Sequence, residues 1–208
     1  MGQLFTIGYS GTPIDRFVSL LVSHKIEVLC DVRSVPYSRV RPEFSRRELK
    51  QSVNQAGIKY HFFGDALGAR PKERSVYVGG QAVHNLIAQT SFFQAGLDRL
   101  KKGASDHNLV LLCSEKDPIE CHRAILVCRH LPEIKSAISH IHINGRVETQ
   151  EQFEDRLVKI HNRQSVPLLG ERRPWESLLQ EAYDKQSCAI AFSEASVDRR
   201  SAAPELVP

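Results

Sequence analysis

The sequence predicts an α/β architecture in which helices flank a mainly parallel sheet of about five strands. Short apolar runs alternate with segments of helical periodicity, as they do where helices connect parallel strands. One of these runs, residues 27–32, is apolar enough for a strand buried on both faces. The composition, 41% hydrophobic and 25% charged over 208 residues, fits one well-buried globular domain.

The first half of the chain contains three of the predicted strands and two helices. The strands are predicted at residues 3–8, 27–32 and 58–63. Thr12 can cap the first helix, whose apolar residues recur with the helical period. Ser45 and Glu48 have the spacing of a capping box, which predicts a second helix to about Ala56. Residues 64–80 contain several glycines and arginines and are expected to form a loop.

The second half continues the alternation. Its predicted elements are a helix within residues 82–102 and strands at 109–113 and 139–143. Asp117, with Pro118 and Glu120 after it, is a strong helix-start signal, and that helix is predicted to continue to about Leu131. A further amphipathic helix is predicted after the last strand.

The chain is predicted to consist of an α/β domain, residues 1–164, and an extension, residues 165–208. Four apolar residues of the extension have helical spacing and could form one face of a last helix. They are Trp175, Leu178, Leu179 and Ala182. From Ser193 onward the chain is polar and contains alanine and proline, so a disordered tail is expected there.

Nothing in the sequence suggests export or membrane insertion. The first residues, MGQLFTIGYS, lack the basic region and apolar run of a signal peptide, and runs such as 109–113 are too short to cross a bilayer. Five cysteines in a chain of this size do not suggest a disulfide framework. We therefore expect a cytoplasmic protein with no membrane partner; the oligomeric state is left open.

One predicted loop carries an excess of positive charge. Residues 33–50 hold six basic and two acidic side chains, an excess equal to the net charge of +4 of the whole chain. The basic residues are Arg33, Arg39, Arg41, Arg46, Arg47 and Lys50. Such a patch could attract an anionic small molecule or a nucleic acid, and the alternative is a solvated basic loop.

Three predicted strands end in residues that can do chemistry. The endings are Tyr9-Ser10-Gly11, Asp31-Val32-Arg33 and the stretch from Cys113 to Arg123. The carboxyl ends of parallel strands converge on one crevice, where ligands bind in such folds. The predicted catalytic residues at this crevice are Asp31, Cys113, Glu115 and Cys121. The predicted substrate-binding residues are Tyr9, Ser10, Arg33, Arg39, His122 and Arg123.

The cysteines near this crevice have three possible roles. Cys121 is predicted to lie in the first turn of its helix, where the positive helix end and Arg123 would favour the thiolate. Cys113 ends the preceding strand, so that Cys113, Cys121 and His122 together could bind zinc or iron. A metal site, a reactive thiol and a purely structural role all stay open, and the cofactor is unknown.

The charged residues at the second strand end also have two interpretations. Alternation along a strand puts Asp31 and Arg33 on the same side, where they could pair or face the crevice. Arg33 and Arg123 could clamp a phosphate or carboxylate with paired hydrogen bonds. The alternative is a local ion-pair network that ties the loops together, because buried charges need partners.

Two known cysteine loops can be compared with this stretch. A cysteine-phosphatase loop needs an arginine six residues after the cysteine, whereas Ile119 and Val127 stand there after Cys113 and Cys121. The Asp-Val-Arg segment resembles the start of rhodanese-type sulfurtransferase domains, in which a later strand also ends in a catalytic cysteine. The loop after Cys113 is acidic where a sulfur-binding anion cradle is expected, which counts against persulfide chemistry.

The chain resembles the bacterial and archaeal family called domain of unknown function 488. The matching segments are TIGYSG at 6–11, DVRSVPYSR at 31–39, GIKYHFFGDALG at 57–68, LLCSEKDPIECHR at 111–123 and HIHINGRV at 140–147. They occur in order within residues 4–160. The resemblance implies a Rossmann-like, three-layer α/β fold with these motifs around one pocket, and it implies no established activity.

The leading functional hypothesis is an enzyme acting on a phosphate-bearing or otherwise anionic substrate, either a nucleotide or a nucleic acid. Arginines would hold the anion, Asp31 or Glu115 would transfer a proton, and Cys113 or Cys121 would be a nucleophile or metal ligand. The first alternative is a non-catalytic module that binds a ligand or a nucleic acid. The second alternative is rhodanese-like sulfur transfer.

Overall fold

A computed structural model describes residues 2–162 and 173–195 of the chain. Its strands are β1 (Leu4–Gly8), β2 (Val28–Asp31), β3 (Lys59–Phe62), β4 (Tyr77–Val78), β5 (Gln81–Ala82), β6 (Leu109–Cys113), β7 (Ile138–Ile141) and β8 (Val147–Thr149). Its α-helices are α1 (Ile14–Ser23), α2 (Arg46–Gln55), α3 (Gly64–Leu67), α4 (His84–Ala88), α5 (Ser91–Asp106), α6 (Gln150–His161) and α7 (Trp175–Ile190).

The central sheet confirms the predicted α/β class. Within the described ranges it has six strands in the order β3-β2-β6-β1-β7-β8. All its neighbouring strands are parallel except β7 and β8, which are antiparallel. Gly8 lies opposite Cys113, and Asp31 lies opposite Leu112, so that the carboxyl ends of β1, β2 and β6 lie side by side.

Helices cover both faces of the sheet and give it three layers. One face packs α1 and α2 against the strands, through residues such as Phe17 and Leu49. The other face packs α5 and the segment after Cys121, through residues such as Phe93 and Leu126. Every residue of β6 is buried because successive side chains enter opposite cores, which accounts for its unbroken apolar sequence.

The predicted continuous helix from Pro118 to Leu131 is wrong. A short 3₁₀ turn covers Pro118–Glu120, and Cys121 then has extended backbone angles, with φ −136° and ψ 136°. A π-helical turn, Arg123–Val127, and a 3₁₀ turn, Cys128–His130, follow. Cys121 therefore lies just before the second helical segment, and its carbonyl accepts the first hydrogen bonds of that segment.

The predicted capping box at Ser45 is also wrong, although α2 itself is confirmed. The Ser45 hydroxyl accepts the backbone N–H of Ser38 at 3.1 Å and donates to the Ser38 carbonyl, rather than capping the helix. This contact fixes the loop that follows β2. Inside the predicted loop of residues 64–80, the structure places the short helix α3 and the strand β4.

Helix α7 packs against α6 and buries Ala182 and Tyr183 beside Phe153. The last helix is thus present, and Ala182, one of the four residues expected on a single face, is buried, whereas Trp175, the first residue of α7, is 41% exposed. The division at residue 164 stays a prediction, and most of the predicted tail lies outside the described residues.

No helix in the described part of the chain is both long and apolar enough to cross a membrane.

Candidate functional site

A cavity of about 340 Å³, here called the carboxyl-edge pocket, lies at the ends of β2 and β6. Cys113, Glu115 and His122 line it on one side. Its other lining residues include Arg33, Ser34, Tyr37 and Arg70, together with Ile190 at the end of α7 and Phe192 just after it. The pocket therefore occupies the position at which ligands bind in open parallel sheets.

A larger groove, of about 920 Å³, lies beside α6 and α7 and is a weaker candidate. Its main charged residues are already paired: Arg129 with Asp184 at 2.7 Å, and Lys135 with Glu154 at 2.5 Å. Cys128 also lines the groove, but burial raises the pKa of its thiol to about 12. We therefore place the candidate site in the smaller, carboxyl-edge pocket.

Two cysteines, a histidine and a glutamate meet at the pocket, and we call them the thiol centre. The sulfurs of Cys113 and Cys121 lie 2.9 and 3.0 Å from the same oxygen, Oε2 of Glu115. Nδ1 of His122 lies 3.6 Å from the Cys113 sulfur and 4.0 Å from the Cys121 sulfur. The thiol donors and the imidazole nitrogen all lie within 4.8 Å of one another.

The backbone positions each member of the thiol centre. Cys113 is the last residue of β6, and Glu115 follows in a loop that packs directly on Gly8 at the end of β1. A Cβ atom on Gly8 would lie 1.7 Å from the Glu115 carbonyl oxygen, so the close approach requires glycine. The extended backbone at Cys121 turns its sulfur back toward Cys113, which the predicted helix would not have done.

The orientation of the His122 ring is fixed from outside the centre. Its Nε2 lies 3.0 Å from the carbonyl oxygen of Val32. A carbonyl can only accept a hydrogen bond, so Nε2 carries the proton and donates it. In the neutral ring the lone pair of Nδ1 therefore points toward the two sulfurs, as expected of a ligand or a proton acceptor.

The titrating groups of the thiol centre influence one another strongly. Burial raises the pKa of Cys113, as do its hydrogen bond and its proximity to Cys121. Burial opposes ionisation of Cys121 as well, but the hydrogen bond from Cys113 and the charges of Arg123 and His122 lower its pKa well below the usual range. Burial and the Cys121 charge raise the pKa of Glu115. Both sulfurs are hydrogen-bonded to Glu115 Oε2, so the protonation of the two cysteines and of Glu115 is linked.

Arg123 is fully buried and holds the loop that carries Glu115. Its Nη1 donates to the Glu115 carbonyl at 2.7 Å, its Nη2 to the Lys116 carbonyl at 3.3 Å, and its Nε to Thr6 Oγ1 at 3.3 Å. These donors are directed at protein atoms. The geometry therefore gives Arg123 a positioning role beneath the pocket.

Asp31 and Arg33 form a buried ion pair at the end of β2. Nε and Nη2 of Arg33 donate to the two carboxylate oxygens of Asp31 at 2.8 and 2.6 Å, and Nη1 donates to the Phe44 carbonyl. The Tyr60 hydroxyl donates to the same carboxylate at 2.7 Å. This arrangement corresponds to the ion-pair alternative left open by the sequence, and it leaves Arg33 as part of the pocket wall.

Tyr9, Ser10 and Arg39 lie outside the set of residues that line the pocket. Tyr9 is buried, stacks on Phe44 with ring centroids 4.3 Å apart, and accepts a hydrogen bond from Ser114. Ser10 is exposed and donates its backbone N–H to the Ser114 carbonyl. Arg39 is exposed on the loop after β2. The strand ends therefore converge as predicted, but not all of their side chains reach the pocket.

Sequence reasoning missed Arg70 as a pocket residue. Its backbone N–H donates to Ser34 Oγ at 2.9 Å, and its guanidinium lies over the Phe192 ring, 4.4 Å from the centroid. The only sequence signal was the arginine-containing loop after β3. No sequence pattern indicated that residues beyond α7 return to this edge of the sheet.

Comparison with known proteins identifies a family but no activity. The family model described as Domain of unknown function DUF488 matches residues 13–129, more than half of the chain. A search of curated proteins gives no match. A solved structure from Shewanella putrefaciens CN-32, described as "Putative phosphatase (DUF442)", is 15% identical, with 88% of each chain covered and a TM-score of 0.36.

Proposed function

The chain belongs to the DUF488 family, a domain of unknown function, and we propose that it is an enzyme acting on a phosphate-bearing or other anionic substrate. The observation that carries the proposal is the thiol centre beside the carboxyl-edge pocket. Cys113, Glu115 and His122 all line this cavity, so a bound molecule would meet a nucleophile or ligand, a carboxyl group and an imidazole together.

The preference for an anion rests on Arg70. The donors of Arg33 and Arg123 are occupied by Asp31 and by backbone carbonyls, respectively. Arg70 is exposed at the pocket and is held by Ser34 and Phe192, which leaves its guanidinium available to a phosphate or carboxylate. In the proposed complex, Arg70 binds the anion and Arg33 supports the wall.

A nucleotide or nucleic acid fits the segment after β2, which comprises the loop and the first residues of α2 and which we call the rim loop (residues 35–47). Tyr37 is 68% exposed and lines the pocket, and Val40 is 83% exposed. Arg39, on the loop, and Arg47, in the first turn of α2, are also exposed. Exposed aromatic and basic side chains together suit stacking on bases and attraction of phosphates.

Glu115 is the proposed proton-transfer group. Its carboxyl oxygen contacts both sulfurs, and the residue lines the pocket, so it can exchange a proton with a bound substrate. Asp31 is surrounded by Arg33 and Tyr60, and in the proposal it therefore has a positioning role.

The test is a turnover assay on para-nitrophenyl phosphate, bis(para-nitrophenyl) phosphate and a short single-stranded DNA. We expect wild-type turnover of at least one of these, an abolished rate for Glu115→Gln, and a KM raised about tenfold for Arg70→Gln, which loses a charge-assisted contact. Lys102→Gln removes one exposed charge elsewhere and is the matched control. Absence of both turnover and inorganic phosphate binding in the wild type would refute the proposal.

A further inference from the structure

We infer that Cys113, Cys121 and His122 are the ligands of one divalent transition-metal ion of the zinc type beside the carboxyl-edge pocket. Thiolates and imidazole are the donors that zinc prefers in proteins. The inference rests on the proposed function for its catalytic meaning, whereas metal binding itself can be tested without a substrate.

The donor atoms already have nearly the spacing that a metal requires. A tetrahedral zinc ion with sulfur at about 2.3 Å and nitrogen at about 2.05 Å puts sulfur and nitrogen about 3.6 Å apart. The two observed separations from His122 Nδ1 are 3.6 Å to Cys113 and 4.0 Å to Cys121. The first separation equals the tetrahedral value and the second exceeds it by a few tenths of an ångström, and all three donor atoms lie within 4.8 Å of one another.

The surroundings provide the outer contacts that metal-binding histidines usually have. A ligating histidine normally donates its second ring N–H to a carbonyl or carboxylate, which fixes its orientation. His122 makes this contact with the Val32 carbonyl through Nε2, leaving Nδ1 for the ion. Val32 follows β2 directly, so the sheet itself orients the ligand.

Charge balance in this buried place also favours a divalent ion. Two thiolates and the Glu115 carboxylate would carry three negative charges, and a divalent ion together with the nearby Arg123 would supply three positive ones. Both cysteines are at least 97% buried, and unpaired thiolates would be costly there. A divalent ion between the two sulfurs would offset the cost of burying two thiolates.

The fourth coordination position opens toward the pocket. Glu115 lies 2.9 and 3.0 Å from the two sulfurs and can occupy this position itself. If Glu115 moves aside, water or a substrate oxygen can bind there, because Cys113, Glu115 and His122 line the cavity. Three protein ligands with one exchangeable position are typical of catalytic zinc sites.

Other cysteines of the chain provide matched controls. Cys30 and Cys128 are also buried, but apolar neighbours surround them and burial raises the pKa of each thiol to about 12. Within the described ranges, Cys113, Cys121 and His122 form the group with metal-binding spacing. Cys113 and Cys121 are therefore expected to bind the metal, whereas Cys30 and Cys128, which are similarly buried, are not.

The experiment is metal analysis of the full chain, purified without a histidine tag, followed by cobalt(II) substitution. We expect about one zinc ion per chain in the wild type and in the Cys30→Ser and Cys128→Ser controls. Cys113→Ser, Cys121→Ser and His122→Asn should each bind zinc at least tenfold more weakly. Cobalt in the wild type should show sulfur-to-metal charge-transfer absorption, which reports thiolate ligation even if a ligand variant fails to fold.

Three results would overturn the inference. The first is a wild-type chain that takes up no zinc, iron or cobalt under reducing conditions. The second is a zinc affinity that is unchanged in Cys121→Ser. The third is bound cobalt that shows no thiolate-to-metal absorption. Turnover by a metal-free wild-type chain would reject a catalytic metal while leaving the proposed enzyme in place. A metal-loaded chain without turnover or phosphate binding would reject the proposed function while leaving the metal site.

Discussion

Single buried residues hold the candidate site in shape. Arg123 is fully buried and ties two loop carbonyls to the sheet, and Asp31 with Arg33 fixes the loop after β2. The sequence placed these residues near the crevice because their strands end there. It could not show that the arginine side chains would donate to other protein atoms rather than to a ligand, because the accepting carbonyls are brought close only by the fold.

The positioning role of Arg123 can be tested by stability. We expect Arg123→Met to lower the free energy of unfolding by about 3 kcal/mol, because the buried Thr6 hydroxyl and the part-buried Glu115 carbonyl would lose their donor. Urea unfolding measures the change, and Arg47→Met, an exposed arginine, should change it by less than about 0.5 kcal/mol. A stable Arg123→Met chain that fails only in anion binding would instead identify Arg123 as a substrate ligand.

His140 makes a testable contribution to the pH dependence of stability. Burial, and next the charge of Arg123, lower its pKa to about 3, against weaker opposition from Gln150 and Glu148 and with a small contribution from His142. The folded chain thus keeps His140 neutral, and its stabilising effect is complete above pH 6.5 and is lost as the pH falls toward 3. From pH 7 to pH 4, this loss is about 3 kcal/mol.

Urea unfolding of the wild type and His140→Gln at several pH values measures this effect. We expect the wild type to lose about 3 kcal/mol more than the variant between pH 7 and pH 4. Neutral His140 donates its Nε2–H to Gln150 Oε1 and accepts the Thr6 hydroxyl at Nδ1. Above pH 7 the two stability curves should therefore run parallel, separated by the constant contribution of these contacts. Parallel curves over the whole range would contradict the buried, neutral state of His140.

At the scale of elements, the sheet was predictable and the start of the segment after β6 was not. Buried parallel strands leave a clear apolar signal, and most of the predicted strands correspond closely to observed ones. Asp117 does accept the backbone N–H of Ile119, as its capping signal predicted. The helix nevertheless stops at Cys121, because the extended backbone there brings its sulfur to Glu115 and Cys113, a tertiary requirement that local propensity does not reveal.

Gly8 tests whether the contact between β1 and the Glu115 loop matters. A Cβ atom there would overlap the Glu115 carbonyl, so we expect Gly8→Ala to move that loop and destabilise the chain by about 2 kcal/mol. Gly103→Ala is the control: it lies in α5, and its Cβ would lie 3.2 Å from a flexible Leu109 methyl group. Unfolding measurements that show equal effects for the two variants would argue against the tight contact.

At the scale of the whole molecule, the end of α7 and the residue Phe192 after it lie at the pocket, far along the chain from the other lining residues. Ile190 and Phe192 border a cavity whose other lining residues belong to residues 33–122. The sequence predicted the last helix but not this contact, because a weak amphipathic pattern indicates a helix without saying where it packs. The three-layer fold and the convergence of the strand ends were therefore predictable, whereas the composition of the pocket wall was not.

The rim loop gives a prediction for polyanion binding. We expect Arg39→Gln/Arg47→Gln to weaken binding of single-stranded DNA and to reduce the slope of log affinity against log salt by roughly one to two, because fewer counterions are released. Lys102→Gln/Lys159→Gln removes the same charge from other exposed positions and should leave the slope nearly unchanged. A wild-type chain without detectable DNA binding at low salt would remove nucleic acid as a substrate.

The most direct test of the account is zinc-edge X-ray absorption of the zinc-loaded wild-type chain, recorded with and without inorganic phosphate. We expect two sulfur ligands at about 2.3 Å and nitrogen or oxygen ligands at about 2.0–2.2 Å, with phosphate changing the light-atom shell and not the sulfurs. That result would place the ion on Cys113, Cys121 and His122 with an exchangeable position facing the pocket. A first shell without sulfur, or one insensitive to saturating phosphate, would contradict the account.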